Sequence, residues 1–450
     1  MLPPCDSPVD DPDAFAIFLC DRAYEFPPGL IAGLPGEPTD SAIPDCVKAL
    51  GHATYVNAVQ EAGPEFLVAE AHRHYQSALQ KTNSALASPK TAYWDSTLMA
   101  VMMLSNIETM LNPGLDSLNA WTTHVRGCAG LLELRGIDQL QTQAGRLLFT
   151  QACVNVLLDS MRVATRVPNH LHILSEAARY YIGRDSIEYT PWLILHHRLK
   201  LADIYADFMS GCMSEPEAAV GDIRARDQAL IEALQHPGLE IDLSSSQLCD
   251  NSKDSASREA AEVFKAFIAS QNTVIVLAMR MISHVLILAI LREQLGHMPS
   301  RRADGTSVQV MQSTQIVEEL QDEVLAMMPG HIRLVQEYNR LSGSDAATSR
   351  LLSSQPGVSS VACMWAEQLL IGSLCPASFL DLSQLKNAKC RLSRGYNVIW
   401  PLLLVGQIAG SASPQRQSAC HQLRSVGKSL DIIQARFIAD VLDTGSSWSQ

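Results

Sequence analysis

The most informative segment for the fold class is YWDSTLMAVMMLSNIETML, which runs from Tyr93 to Leu111. Its central residues, 98–104, are all apolar, and an Asn-Pro-Gly sequence follows at residues 112–114. A helix that is apolar on every side must be covered by other elements, and Asn, Pro and Gly end helices. The sequence therefore predicts a buried helix over residues 93–111.

The neighbouring stretches also have helical periodicity. Helix patterns cover residues 65–86 and 192–209, and Gly136 is a candidate left-handed cap at the end of a further one. That further pattern is an apolar stripe at spacings of four, three and four, formed by Trp121, Val125, Cys128 and Leu132. Strand signals hardly occur. The predicted fold class is all-α, with one large multi-helix body.

Two glycines lie within the pattern that ends at Gly136. Gly127 and Gly130 each cost a helix about 1 kcal/mol relative to alanine. We expect that this cost is offset by the close approach of another backbone.

Composition excludes several classes of protein. The chain has 450 residues, of which 47% are hydrophobic, 18% charged and 6% aromatic, and its formal net charge is −13. The hydrophobic content excludes wholesale disorder, and the low aromatic content disfavours all-β folds. The acidic balance disfavours binding of nucleic acid through the overall field of the chain.

The eleven cysteines are scattered singly, and no CxxC occurs. This spacing excludes a zinc ribbon or a compact disulfide framework. The first twenty residues lack a positive start followed by an apolar stretch, so we expect no secretory signal and a reducing, intracellular environment.

The predicted domain organisation has three parts: an irregular N-terminal segment over residues 1–40, one all-helical body over 41–442, and a tail over 443–450. Three Ser-rich segments are expected to be surface loops within the body, over residues 243–257, 297–307 and 342–360. None has the length of an interdomain linker.

Residues 274–291 form the most apolar stretch, in which Arg280, Ser283 and His284 are the only strongly polar members. A charge at its midpoint disfavours a membrane span, so a buried helix of the body is predicted. Arg280 and His284 are four residues apart and share one face. They are either a structural tie to a neighbouring helix or a polar anchor for a small acidic or carbonyl-bearing molecule. We select both as candidate ligand-binding residues.

No motif for metal or cofactor chemistry is complete. The histidines at 72, 74, 196 and 197 lack an HExxH arrangement, so no metal site is predicted. The residues at 251, 255 and 259 have the Asn/Ser/Glu spacing of a terpene cyclase, but Ser252 replaces the usual acidic residue. Residues 427–429 resemble the end of a phosphate loop, but Gln422 stands where the first glycine is required. No cofactor and no catalytic residue are assigned.

Three segments together resemble the fungal-specific transcription factor domain. They are AHRHYQSALQKTNSALASPKTAYWDSTLMAVMMLSNIETML (71–111), WTTHVRGCAGLLELRG (121–136) and IWPLLLVGQIAG (399–410). The resemblance extends in order over residues 41–442. It implies an all-helical regulatory region that senses a metabolite and contacts proteins of the transcription apparatus.

The sequence departs from that family at its start. The zinc module of the family needs six closely spaced cysteines, whereas residues 1–41 hold only Cys5 and Cys20 and no basic cluster. Either the chain is a fragment, or it acts through a DNA-binding partner, or the scaffold has another task.

Two functions are predicted from this resemblance. The first is a transcription regulator-like protein without its own zinc cluster, for a secondary-metabolite pathway, located in the nucleus. The alternative is a biosynthetic enzyme of the same scaffold, a cofactor-free cyclase or isomerase located in the cytoplasm. Predicted partners are proteins of the transcription apparatus or a DNA-binding co-regulator, a small apolar metabolite and a second copy of the chain. Direct nucleic-acid binding and membrane binding are not predicted.

Overall fold

The computed structural model describes residues 41–58, 65–111, 115–183, 188–234, 255–297, 303–344, 399–429 and 433–444. Within these ranges the chain forms thirteen α-helices and one 3₁₀ helix, with no strand. The α-helices are α1 (Ile43–Ala58), α2 (Glu65–Ala87), α3 (Asp95–Leu111), α4 (Leu115–Arg135), α5 (Gln143–Arg162), α6 (Asn169–Ala178), α7 (Tyr189–Met209), α8 (Pro216–Leu234), α9 (Ser255–His297), α10 (Ala303–Ser344), α11 (Ile399–Ile408), α12 (Pro414–Ser429) and α13 (Ile433–Thr444). The prediction of an all-α fold is confirmed.

Helix α3 contains the stretch that decided the prediction. Residues 98–104 are buried on every side, as seven consecutive apolar residues require. Helices α1, α2, α4 and α5 surround it. Gly136 has a φ of +56° and ends α4 in the left-handed conformation, after which the 3₁₀ helix Gly136–Gln141 leads to α5.

The long helices α9 and α10 form the most extensive helix pair. Helix α9 also packs against α7, α8 and α11, and α7 in turn packs against α5. The buried apolar residues form one connected core that extends from Ala42 to Leu442. The predicted boundaries at 40 and 442 stay predictions, because residues 1–40 and 445–450 lie outside the described ranges.

Helix α9 is the apolar helix singled out in the sequence. Its segment Ala269–Gly296 is long and apolar enough to cross a membrane, with a mean hydropathy of 2.5. However, 78% of that segment's most apolar stretch is buried inside the protein. Its apolar surface is therefore covered by neighbouring helices, as expected for a core helix.

Two expectations about local structure are wrong. Residues 303–307 were expected in a loop but form the first turns of α10, where the Ser and Thr side chains are tolerated near a helix start. Residues 255–257 and 342–344 are likewise helical, as is residue 297 at the end of α9. The rest of the three Ser-rich segments lies outside the described residues.

The second wrong expectation is that another backbone lies close to the two glycines of α4. Gly127 and Gly130 are exposed, and no described backbone approaches either of them.

Candidate functional site

Arg280 and His284 meet the carboxylate of Asp227, which lies on α8. Arg280 Nε donates to Asp227 Oδ1 at 2.8 Å, and its terminal nitrogen Nη2 lies 3.3 Å from Oδ2. His284 Nε2 lies 3.3 Å from Oδ2. We call these three residues the Asp227 cluster. It joins α8 to α9 by three contacts at a single carboxylate.

Helical spacing explains how α9 presents the cluster. Arg280 and His284 are one turn apart, so both side chains face α8, while the other faces of α9 are occupied by apolar side chains of the core. On α8, Asp227 takes its place in a buried stripe that is otherwise apolar and includes Val220, Ile223 and Leu230.

The charged groups of the cluster are mostly withdrawn from water. The Arg280 side chain is 15% exposed and that of Asp227 is 10% exposed. Burial by itself raises the pKa of Asp227, but the hydrogen bonds from His284 and Arg280 and the charge of Arg280 together hold that pKa below its ordinary value. Asp227 is therefore ionised at neutral pH and forms an ion pair with Arg280.

Next to the cluster, α9 also contacts a buried cation of α7. Arg198 of α7 is buried, and its Nε lies 3.0 Å from the sulfur of Met279, the residue before Arg280. Nδ1 of His284 is buried and has no hydrogen-bond partner among the described residues. Besides the Asp227 cluster, the junction of α7, α8 and α9 thus contains a second buried guanidinium.

This arrangement can bind a carboxylate. A guanidinium and an imidazole converge on the two oxygens of one acidic group, which is a geometry that an acidic or carbonyl-bearing molecule would also satisfy. In the structure the carboxylate is supplied by Asp227 itself. A ligand would have to take its place.

Sequence reasoning found Arg280 and His284 but missed Asp227. The pattern of α8 contained a usable signal, because an acidic residue stands at spacings of four and three from Ile223 and Leu230 in an apolar stripe. A carboxylate in such a position needs a buried partner.

A second, half-buried carboxylate was also missed. Asp45 of α1 has one oxygen 3.0 Å from His74 Nδ1, and its other oxygen accepts from Ser77 Oγ at 2.8 Å. Lys81 Nζ lies 3.1 Å from that second oxygen. We call Asp45, His74, Ser77 and Lys81 the Asp45 cluster. It joins α1 to α2 and contains one of the histidines that were considered as metal ligands.

The remaining motif residues do not assemble into a further site. His72 is half-buried, and the adjacent His196 and His197 lie on α7. Both ring nitrogens of His197 are buried without a hydrogen-bond partner, and burial together with the charges of Arg226 and His196 lowers its pKa to about 3. In the described part of the chain, no group of three His, Cys, Asp or Glu side chains could hold a metal ion.

The other two motifs give no site either. Residues 427–429 belong to α12 and are helical, not a phosphate-binding loop. Of the cyclase-like triad, the residue at 251 lies outside the described ranges.

Comparison with known proteins gives one match. Residues 45–160 match a family described as the fungal specific transcription factor domain. No curated protein and no solved structure matches the chain. The matched residues extend from the third residue of α1 to near the end of α5, and they include α3 and the Asp45 cluster. Residues 45–160 are thus similar to the fungal specific transcription factor domain, which supports a regulator-like role.

Proposed function

We propose that this protein regulates transcription in the nucleus through contacts with other proteins. The observation that carries the proposal is the family match over residues 45–160, which supports an intracellular regulator. The net charge of −13 supports contact with proteins of the transcription apparatus or a DNA-binding co-regulator in preference to contact with DNA. The assignment to a secondary-metabolite pathway stays a prediction.

The regulatory half of this proposal is tested by tethering. The 450-residue chain is fused to an unrelated DNA-binding domain, and transcription of a reporter gene with the matching site is measured in fungal cells. We expect reporter transcription to rise or fall at least about threefold relative to the DNA-binding domain alone. An unchanged reporter, with the fusion present at normal levels in the nucleus, would contradict the proposal.

DNA binding is tested separately with the purified chain. A mobility-shift experiment at physiological salt should show no tight, sequence-specific complex, because acidic surfaces repel phosphates. A specific complex would show that the chain reads DNA itself.

We further propose that a small acidic or carbonyl-bearing molecule binds at Arg280 and His284. Two observations support this: the convergence of both side chains on one carboxylate and the buried, unpartnered Nδ1 of His284. The ligand's acidic group would displace Asp227, and its apolar remainder would lie among the core residues of α9. Displacement would weaken the contact between α8 and α9.

This part is tested by thermal unfolding with aliphatic mono- and dicarboxylic acids as probes. We expect at least one probe to raise the Tm of the wild type and to have no effect on Arg280→Met, which retains length but loses the charged donors. Arg146→Met is the matched control, since Arg146 forms a comparable two-point contact with Glu188 at 2.7 and 2.9 Å elsewhere in the fold. An equal rise in Arg280→Met would contradict ligand binding at the cluster.

A further inference from the structure

Helix α4 has an exposed face whose composition is unusual for a surface helix. Over residues 120–135, the exposed positions are Thr123, Arg126, Gly127, Gly130, Glu133 and Leu134. We call these six residues the α4 face. It contains two glycines, one threonine, one leucine, one arginine and one glutamate.

No contact among the described residues requires glycine at positions 127 and 130. A Cβ at position 130 would meet nothing within 4 Å, and one at position 127 would meet only Val101 Cγ1 at an ordinary 3.8 Å. Alanine at both positions would fit and would favour the helix by about 1 kcal/mol each. The surface they create is flat, which permits close approach by a backbone from outside the described elements.

Exposed apolar side chains continue the α4 face. Leu134 is 48% exposed, Ile137 of the 3₁₀ helix 53%, and Ile173 of α6 57%. The α4 face and α6 are adjacent, because His170 Nδ1 of α6 lies 3.8 Å from Glu133 Oε2. Grouped exposed aliphatic residues of this kind mark interaction surfaces on soluble proteins.

We propose that a second copy of the chain docks on this face, with the two α4 helices antiparallel about a two-fold axis at Gly130. The argument comes from helix geometry. At about 100° per residue, all six residues of the α4 face lie within roughly 60° of the direction of Gly130. Residues seven positions apart lie on nearly the same side of the helix, and a two-fold axis reverses the direction of the second copy.

This geometry makes the surface complementary to itself. Arg126 lies on one side of Gly130 and Glu133 on the other, so Arg126 faces Glu133 of the second copy, and the reverse pair forms by symmetry. Gly127 and Leu134 have the same relation, so the side chain of Leu134 fits over Gly127 of the second copy. Gly130 faces itself at the axis, where a side chain would hold the backbones apart.

The charges favour a second copy over other partners. Arg126 forms an ion pair with Asp159 at 3.6 Å, and Glu133 lies 3.8 Å from His170, but the two side chains are 70% and 68% exposed and can turn to a partner. Arg126 and Glu133 carry opposite charges on a chain with a net charge of −13. A basic partner would match only Glu133 and nucleic acid would match only Arg126, whereas a second copy matches both residues.

The first test is sedimentation velocity of the full chain over a concentration series. We expect a reversible dimer, and Gly130→Leu should raise its dissociation constant at least about 100-fold because the change acts twice at the axis. Gly221→Leu is the matched control, since Gly221 is also an exposed helical glycine with nothing within 4 Å of its Cβ position. Both variants should keep or raise the Tm of the monomer.

The second test exchanges the charges. Glu133→Arg alone should weaken the dimer at least about tenfold, because two arginines then face each other, and Arg126→Glu should do the same. The double variant Arg126→Glu with Glu133→Arg should restore the dissociation constant to within about threefold of the wild type, since the pairs re-form with exchanged ends.

Two results would overturn the inference. One is a wild type that is monomeric up to about 100 µM, the weakest affinity that an interface of this kind should have. The other is a dimer that Gly130→Leu leaves intact or that the charge exchange fails to restore. The inference is independent of the proposed function, because the reporter experiment can fail while the dimer is present, and the reverse.

Discussion

The Asp227 cluster and the Asp45 cluster have the same composition, a carboxylate with a histidine and a cation, but they lie at different depths below the protein surface. In each, a carboxylate on one helix receives a histidine and a cation that stand on one face of the next helix. The cation is a guanidinium with 15% exposure at Asp227 but an ammonium with 33% exposure at Asp45. We therefore expect exposure of the cation, more than the number of contacts, to set how much each carboxylate contributes to the free energy of unfolding.

The physical reason is the cost of leaving a charge without its partner. Lys81 can turn into water when Asp45 is removed, because its side chain is long and its charge is compact and strongly hydrated. Arg280 is fixed among core side chains and has little access to water. Removal of Asp227 therefore leaves a buried, uncompensated charge.

The largest effect is expected for Asp227→Ala. We expect the free energy of unfolding at pH 7 to fall by about 3 kcal/mol or more, as for other buried ion pairs that lose one member. Urea unfolding measures this. The double variant Asp227→Leu with Arg280→Met removes both charges and should recover most of the loss. A loss of the same size in the double variant would show that packing, not charge, dominates.

Asp45→Ala should cost less, about 1.5 kcal/mol, because Lys81 becomes hydrated while His74 and Ser77 lose one hydrogen bond each. The same urea experiment gives the value. If Asp45→Ala costs as much as Asp227→Ala, exposure of the cation is not what separates the two clusters.

A third buried histidine, without a carboxylate, extends the comparison to pH. His331 of α10 is 1% exposed, has Nδ1 2.9 Å from Ser270 Oγ and stacks on Phe267, and burial lowers its pKa to about 4. Its pKa in the unfolded chain is about 6.5, so only the unfolded state gains the proton as the pH falls from 6.5 toward 4. This contribution to stability is complete above pH 6.5 and is lost as the pH falls through that window.

We therefore expect His331→Asn to reduce the loss of stability between pH 7 and pH 5.5 by about 1 kcal/mol. Urea unfolding at the two pH values measures the change in slope, which does not depend on what the substitution costs at pH 7. A slope equal to that of the wild type would show that His331 takes up its proton in the folded state.

The smallest effect is expected at His197, where neither ring nitrogen has a hydrogen-bond partner among the described residues. Replacement by leucine removes two buried polar atoms and should raise the free energy of unfolding by about 0.5 kcal/mol at pH 7. Thermal and urea unfolding check this. A loss of more than about 1 kcal/mol would show that the imidazole makes a contact that leucine cannot replace.

Sequence patterns anticipated much of the helical structure. Residues 98–104 required a buried helix, and α3 has one, because no arrangement leaves seven consecutive apolar residues exposed. The end of α3 at Leu111, the helix over 65–87 and the left-handed Gly136 follow from rules that act within a few residues. The ends of α9 and α10 were wrongly assigned to Ser-rich loops, since local polarity does not decide where a long helix begins or ends. The backbone neighbour expected for Gly127 and Gly130 is also missing among the described residues.

Part of the candidate site could also be predicted from the sequence, and part could not. Arg280 and His284 could be selected from the sequence because they interrupt an apolar run, and helical spacing placed them on one face. Their carboxylate could not be assigned, because Asp227 is 53 residues from Arg280 along the chain, and only the packing of α8 on α9 brings them together. The Asp45 cluster escaped notice because His74 lies in a helix rich in polar residues, where one more histidine does not stand out.

Sequence patterns alone were therefore sufficient to predict the all-α class, the most buried helices and two members of the Asp227 cluster, since these depend on local periodicity and on the hydrophobic effect. The packing of the helices, in contrast, fixes which carboxylate meets Arg280 and which way Gly127 and Gly130 face. It also leaves Arg126 and Glu133 exposed on the same face of α4 as the two glycines. Such facts depend on which helices become neighbours, and contacts between residues distant in sequence leave no periodic signal in either segment alone.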